Sequence, residues 1–132
     1  MADINNKNLY ITVFLFGALA VIFGAFGAHY LAEHLAIKQL ASFKTGVLYH
    51  FIHVIAALQV LIIADQRNDK GLLVACKLFV IGIILFSGSL YLLSIRELIG
   101  LSYYKWLGPI TPIGGLFFIA AWLRAALYFI KN

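Results

Sequence analysis

The chain has 132 residues, of which 64% are hydrophobic and 11% charged, with a mean hydropathy of +0.98. A soluble domain carries roughly one-quarter charged residues, so this chain has too little charge to cover a water-facing surface and belongs in a bilayer. The net charge of +5 does not point to nucleic acid: the basic residues are scattered at the ends of apolar blocks, where cations meet lipid headgroups, and form no stripe or recognised nucleic-acid motif.

Four uncharged or nearly uncharged runs follow in chain order, at about 9–28, 45–64, 72–95 and 110–130. At 1.5 Å per residue each is long enough to cross a hydrocarbon core roughly 30 Å thick. Only a helix satisfies its own backbone over such a run. The first run exceeds the ~7–15-residue core of a signal peptide and is read as a span. Two cations enter the later spans. Lys77 and Arg124 lie near span ends, where both can snorkel to the headgroups. Cys76, the single cysteine, excludes an internal disulfide and reads as a buried thiol.

The connections differ. "LAEHLAIKQLASFK" (31–44) places His34, Lys38 and Ser42 on one helical face and Ala32, Ala36, Leu40 and Phe43 mostly opposite, which predicts a short amphipathic helix lying at the membrane interface. "DQRNDKG" (65–71) is a polar turn. "RELIGLSYYKWLGP" (96–109) gathers Tyr103, Tyr104 and Trp106 at a span end, as headgroup-level anchors. The expected fold is therefore an all-α integral membrane protein: one domain over 1–132, with four transmembrane helices in a compact bundle and a short interfacial helix between the first two. An even number of spans puts both termini on one side. If Lys77 and Arg124 snorkel toward that side it carries the larger basic count, so both termini are expected in the cytoplasm.

Small and polar residues enter the spans at particular places. Gly17, Ala20, Gly24 and Gly27 follow spacings of 3, 4 and 3, one face stripped of bulk, which predicts that the first helix is a central packing element. Gly114 and Gly115 are the matching small residues of the fourth span. Pro109 and Pro112 suit a helix start. The end of span one, the start of two, the end of three and the start of four all lie opposite the termini. His29, Tyr49, His50, His53, Ser87, Ser89, Tyr91 and Thr111 are therefore expected to form a polar cluster in that one leaflet.

The segments "GAFGAH", "TGVLYHFIH", "LFSGSLYLL" and "GPITPIGG", in this order along nearly the whole chain, resemble the motifs of a family of small bacterial membrane proteins of unknown function (domain of unknown function 423 type), related to transmembrane protein 256. The resemblance implies four transmembrane helices and a bacterial plasma (inner) membrane, and no activity. Ala121 stands where that pattern would have a glycine before a tryptophan.

Four readings compete for His50 and His53. The first is packing: each imidazole joins helices through Tyr49, Ser87, Ser89 or a backbone carbonyl, in a structural, scaffold or partner- and lipid-binding protein. The second is a small-solute, ion or proton transporter component working as an oligomer, since intramembrane ionisable groups mark such paths. The third is a metal or haem site built from His29, His50 and His53. The fourth is an enzyme acting on lipid or quinone, against which stands the lack of a Walker loop, GxSxG, HExxH or paired carboxylates. A non-enzyme with no cofactor is expected, its partners being membrane lipids and either a second copy or another membrane protein. Both histidines are expected to face protein, because a lipid-facing N–H would lack a partner in hydrocarbon.

Overall fold

The computed structural model describes residues 4–102 and 105–132; Tyr103 and Tyr104, two of the expected surface anchors, lie outside them. Among the described residues, four helical segments are long and apolar enough to cross a membrane: Asn6–His34, Ile37–Arg67, Lys70–Ile95 and Ile110–Lys131. The first comprises α1 (Ile4–Ala28) and a five-residue α2 (Tyr30–His34), separated by the non-helical His29 (φ −112°, ψ −86°). Leu35 and Ala36 are extended, and they reverse the chain into α3 (Ile37–Arg67).

The stretch 31–44 thus does not form one interfacial helix. Its first part is α2, and the rest is the opening two turns of α3. Extending an existing helix adds one hydrogen bond per residue fixed, whereas a separate helix requires a new nucleus. Its apolar face is also taken by protein rather than lipid: Phe43 is buried with Leu31 and Tyr91. The Gln39 side chain accepts a hydrogen bond from the Ala36 N–H (3.1 Å) and donates one to Glu97 (2.9 Å), tying the start of α3 to the end of the third span.

At the opposite surface, Asn68 adopts a left-handed conformation (φ 50°) and Asp69 accepts a hydrogen bond from the Leu72 N–H (2.7 Å), which ends α3 and starts the next helix within a few residues. Asn6 donates to Asp65 (2.8 Å), holding the start of α1 to the end of α3. The third span is continuous but not uniform: α4 (Lys70–Gly82), a π-helical segment Ile83–Ser87, then α5 (Gly88–Ile95). A 3₁₀ turn (Lys105–Leu107) precedes α6 (Ile110–Lys131).

The hub of the bundle is α3, which packs against α1, α4, the π segment and α5, while α6 packs on α4 and the π segment. The expectation that the first helix is central is corrected here. Its small face does make a close contact: a Cβ on Gly17 would meet Val54 at 3.6 Å, one on Gly24 would meet Val47 at 3.5 Å, and one on Gly27 would meet Phe43 at 3.0 Å. All three partners belong to α3. A stripe of small residues accommodates the bulk of one neighbour, and the rest of α1, with Phe14, Leu15, Val21 and Ile22, is exposed. Among the described glycines the close approach to a neighbouring backbone lies elsewhere, where a Cβ on Gly114 of α6 would stand 2.7 Å from Phe86 Cα in the π segment. Ala121, at the unexpected alanine position, is fully buried, as are Leu61, Leu72 and Phe79 around it and the Cys76 thiol. The Arg124 guanidinium lies over Gly71 at the first turn of α4, toward the surface that carries the termini.

Candidate functional site

Because α1 leans mainly on α3, a seam is left between α1 and the third span, and His50 lies at its base. The two histidines of α3 have different settings. His53 is saturated. Its Nδ1–H donates to the Tyr49 carbonyl (2.7 Å), and its Nε2 accepts from the Trp122 Nε1–H of α6 (3.3 Å). Its ring lies flat on Phe118, with centroids 3.5 Å apart and an interplanar angle of 6°. A neutral imidazole has one donor and one acceptor, and both are used in joining α3 to α6.

His50 is 3% exposed and turns toward α1 and α5. Its Nδ1 lies 3.0 Å from the Tyr91 hydroxyl. Phe16 of α1 stands edge-on to the ring, with centroids 6.0 Å apart. The Phe16 carbonyl faces the imidazole, and by strict hydrogen-bond geometry the buried Nε2 has no partner. An unmatched buried polar group of this kind costs about 1–3 kcal/mol.

Of the other members of the expected cluster besides Tyr91, Ser87 bonds a backbone carbonyl, Ser89 and Thr111 pair, and Tyr49 and His29 stand apart. Ser87 donates to the Gly46 carbonyl (2.8 Å), crossing from the π segment to α3. Ser89 donates to the Phe86 carbonyl (2.9 Å) and meets the Thr111 hydroxyl of α6 at 2.6 Å, so Thr111 is the donor of that second bond. Tyr49 is partly exposed, and its ring packs on Phe86 and His53. His29 does not join: it sits exposed at the break between α1 and α2. The three-histidine metal or haem site is corrected on the same ground. Among the described residues no three His, Cys, Asp or Glu side chains gather as a metal set, and both nitrogens of His53 are already engaged. Gly115, unlike Gly114, makes no close approach, since a Cβ there would reach only Phe86 ring atoms at 3.9 Å.

Above His50 the seam opens into a cleft of about 560 Å³. Phe16, Leu19 and Phe23 of α1 form one wall, and Ile84, Gly88 and Leu92 of the third span form the other, with Trp106 and Ile110 beside them. The buried side chains His50, Ser89 and Tyr91, with the Trp106 indole, supply the few polar atoms of a mostly hydrocarbon lining. A second groove of about 380 Å³ shares Phe23, Tyr91 and Ile95 with the first and extends past Leu98 and Ile99. The π segment sits at the head of the cleft. Single-turn π insertions are frequent at functional sites, and this one directs Ile83, Ile84 and Leu85 to the cleft while Ser87 bonds α3. Gly88 follows it, and a Cβ there would meet nothing within 4 Å.

Sequence reasoning missed three parts of this arrangement. The π segment has no periodic signal in an all-apolar run. Phe16, Leu19 and Phe23 follow helical spacing beside the small stripe, but in a uniformly apolar helix that spacing does not separate a cleft wall from a lipid-facing surface. Trp122 lies four residues after Phe118 and so on the same face, which is the signal that could have matched it to His53.

A family model described as "Protein of unknown function (DUF423)" matches residues 23–115, a range that contains His50, Gly88 and Tyr91. The UPF0382 membrane protein YwdK of Bacillus subtilis is 40% identical over 114 residues, 86% of this chain and 88% of that protein. A UPF0382 membrane protein of Haemophilus influenzae is 40% identical over 121 residues, 91% of this chain and 92% of that protein. The UPF0382 inner membrane protein YgdD of Escherichia coli K12 is 32% identical over 106 residues, 80% of this chain and 76% of that protein. No solved structure matches.

Proposed function

The chain belongs to the DUF423 family of membrane proteins, and we propose that it is a binding protein that holds one hydrocarbon-chain guest from the lipid phase in the cleft between its first and third spans. It is a multi-pass plasma membrane protein of a family whose function is unknown. The observation that carries the reading is the cleft itself: about 560 Å³, walled by hydrocarbon side chains, at bilayer depth. Sites for small molecules occupy about 300–1,000 Å³, with mostly apolar walls and a few placed polar groups.

A helix from a partner fits less well. At about 10 Å across and 1.5 Å per residue, ten residues of helix fill roughly 1,200 Å³, about twice the cleft. A single chain lying along the seam matches both the volume and the lining. The same lining supports a binder rather than an enzyme: the polar side chains in it are an imidazole, a phenol, a hydroxyl and an indole, with no carboxylate among them.

The test uses the protein in lipid nanodiscs with a diazirine-bearing alkyl chain as the probe. After irradiation, label is expected on peptides covering residues 16–23 and 83–95, and Gly88→Phe, which fills the cleft from an open position, is expected to remove it. Label spread evenly over the four spans, or undiminished in Gly88→Phe, overturns the proposal. So do crosslinks that place a helix of a second copy in the cleft.

A further inference from the structure

Taking the cleft as a guest site, we propose that the guest is an uncharged carbonyl compound with a planar ring and a long hydrocarbon chain, the chemistry of a membrane quinone, whose carbonyl oxygen accepts a hydrogen bond from His50 Nε2–H.

The direction of that bond follows from the hydroxyl beneath it. Among the described residues the Tyr91 hydroxyl has one hydrogen-bond partner, His50 Nδ1. A buried hydroxyl proton goes to an available acceptor, so Tyr91 donates and Nδ1 accepts. The neutral imidazole then carries its proton on Nε2. This is the nitrogen left buried without a partner, in a side chain that lines the cleft. The protein thus holds a fixed N–H donor that the Phe16 carbonyl faces without completing a hydrogen bond, so a better-placed acceptor can take it.

Depth narrows the acceptor. His50 lies within about 7 Å of the middle of the uncharged run 45–64 at 1.5 Å per residue. The ester carbonyls of a glycerolipid stand at the edge of the hydrocarbon core, about 15 Å from its middle. An ionised head at the depth of His50 is strongly disfavoured. The guest's oxygen must therefore belong to a neutral group that enters the hydrocarbon, and a carbonyl on an apolar ring does so.

The walls favour the ring. Phe16, Phe23 and Trp106 line the same cleft as His50 and Tyr91, and Phe23 and Tyr91 already pack with centroids 4.6 Å apart. Flat rings pack by offset or edge contacts at such distances. Nε2 is buried beneath the cleft wall, Phe16 packs edge-on to the imidazole and lines the cleft, and its side chain must turn aside for the guest's oxygen to reach Nε2.

The experiment measures partition of decylubiquinone between protein-loaded and empty nanodiscs, together with the infrared carbonyl bands of the bound quinone. In the wild type one carbonyl band is expected to move to lower frequency. His50→Phe, which keeps a ring of similar size but removes the donor, is expected to lower affinity about three- to tenfold, the worth of one neutral hydrogen bond, and to restore the band. His50→Gln, which keeps an N–H, is expected to stay closer to the wild type. The reduced quinol, whose ring oxygens are hydroxyls, is expected to bind more weakly than the quinone. Unshifted carbonyl bands in the wild type, or equal affinity in His50→Phe, overturn the inference, and the first of these needs no variant to fold. If the alkyl diazirine labels the cleft while decylubiquinone neither partitions nor shifts, the guest-site reading stands and the quinone chemistry falls; if Gly88→Phe changes neither readout, both fall.

Discussion

Replacing Gly114 by alanine tests a helix contact in which a glycine meets the backbone of its neighbour. A Cβ there would stand 2.7 Å from Phe86 Cα and 2.8 Å from the Leu85 carbonyl carbon, and closer still to the Phe86 nitrogen. These are backbone atoms, so no side-chain rotation relieves the overlap. Carbon atoms sit at about 3.5–4.0 Å at their optimum, so α6 must back away by close to 1 Å. A radial gap of 0.5–1 Å forfeits a quarter to a half of each dispersion contact nearby, and the retreat spreads along α6 where it packs on α4 and the π segment. Overpacking costs about 1–3 kcal/mol, and a rigid obstacle puts this site at the upper end. Alanine's better helix propensity returns up to about 1 kcal/mol. The expected net loss is about 2 kcal/mol, read as a fall in Tm of roughly 6–10 °C for a chain of this size. Thermal unfolding in mild detergent, followed by circular dichroism, measures it. The control is Gly88→Ala, at a helical position with open space, where Tm is expected to hold or rise. Gly114→Ala melting at or above the wild type would show that α6 does not approach the third span this closely and would refute the reasoning.

Trp122→Phe removes the donor to His53 Nε2 and is expected to cost about 0.6 kcal/mol, up to nearly 2, as for other interhelical polar contacts in membranes; a double variant with His53→Phe that loses no less than the sum of the singles would count against the bond. Gly24→Leu is expected to lower stability by about 1–3 kcal/mol, because it drives bulk into Val47 and Phe51 of α3, and an unchanged Tm in detergent would contradict that contact. Cysteine labelling in inside-out and right-side-out vesicles should place residues near both ends of the chain on the same, cytoplasmic, side, and labelling from opposite sides would break the four-span topology.

The sequence by itself determined the environment and the number of crossings. A chain 64% hydrophobic and 11% charged, with four uncharged runs, has few alternatives to four helices, because hydrocarbon offers no partner for an open backbone. The same logic, applied to single side chains, turned His50 and His53 toward protein, and both are buried. The partners could not be read in this way. Hydropathy and periodicity report how one helix relates to solvent, and in lipid every face of an apolar helix reads alike. The small stripe of α1 therefore announced a close contact without saying that α3 alone would fill it, and the 31–44 stretch showed an amphipathic face without saying that Phe43 would spend it on Tyr91 and Leu31. Only the tertiary packing decided that the two histidines, three residues apart on one helix, have different fates. Their side chains point about 60° apart, and what lies across each gap is set by chain segments distant in sequence. His53 meets Trp122 and Phe118 and is left with no free nitrogen. His50 meets Tyr91 on one side and a cleft on the other, because α1 leans on α3 and leaves the third span uncovered.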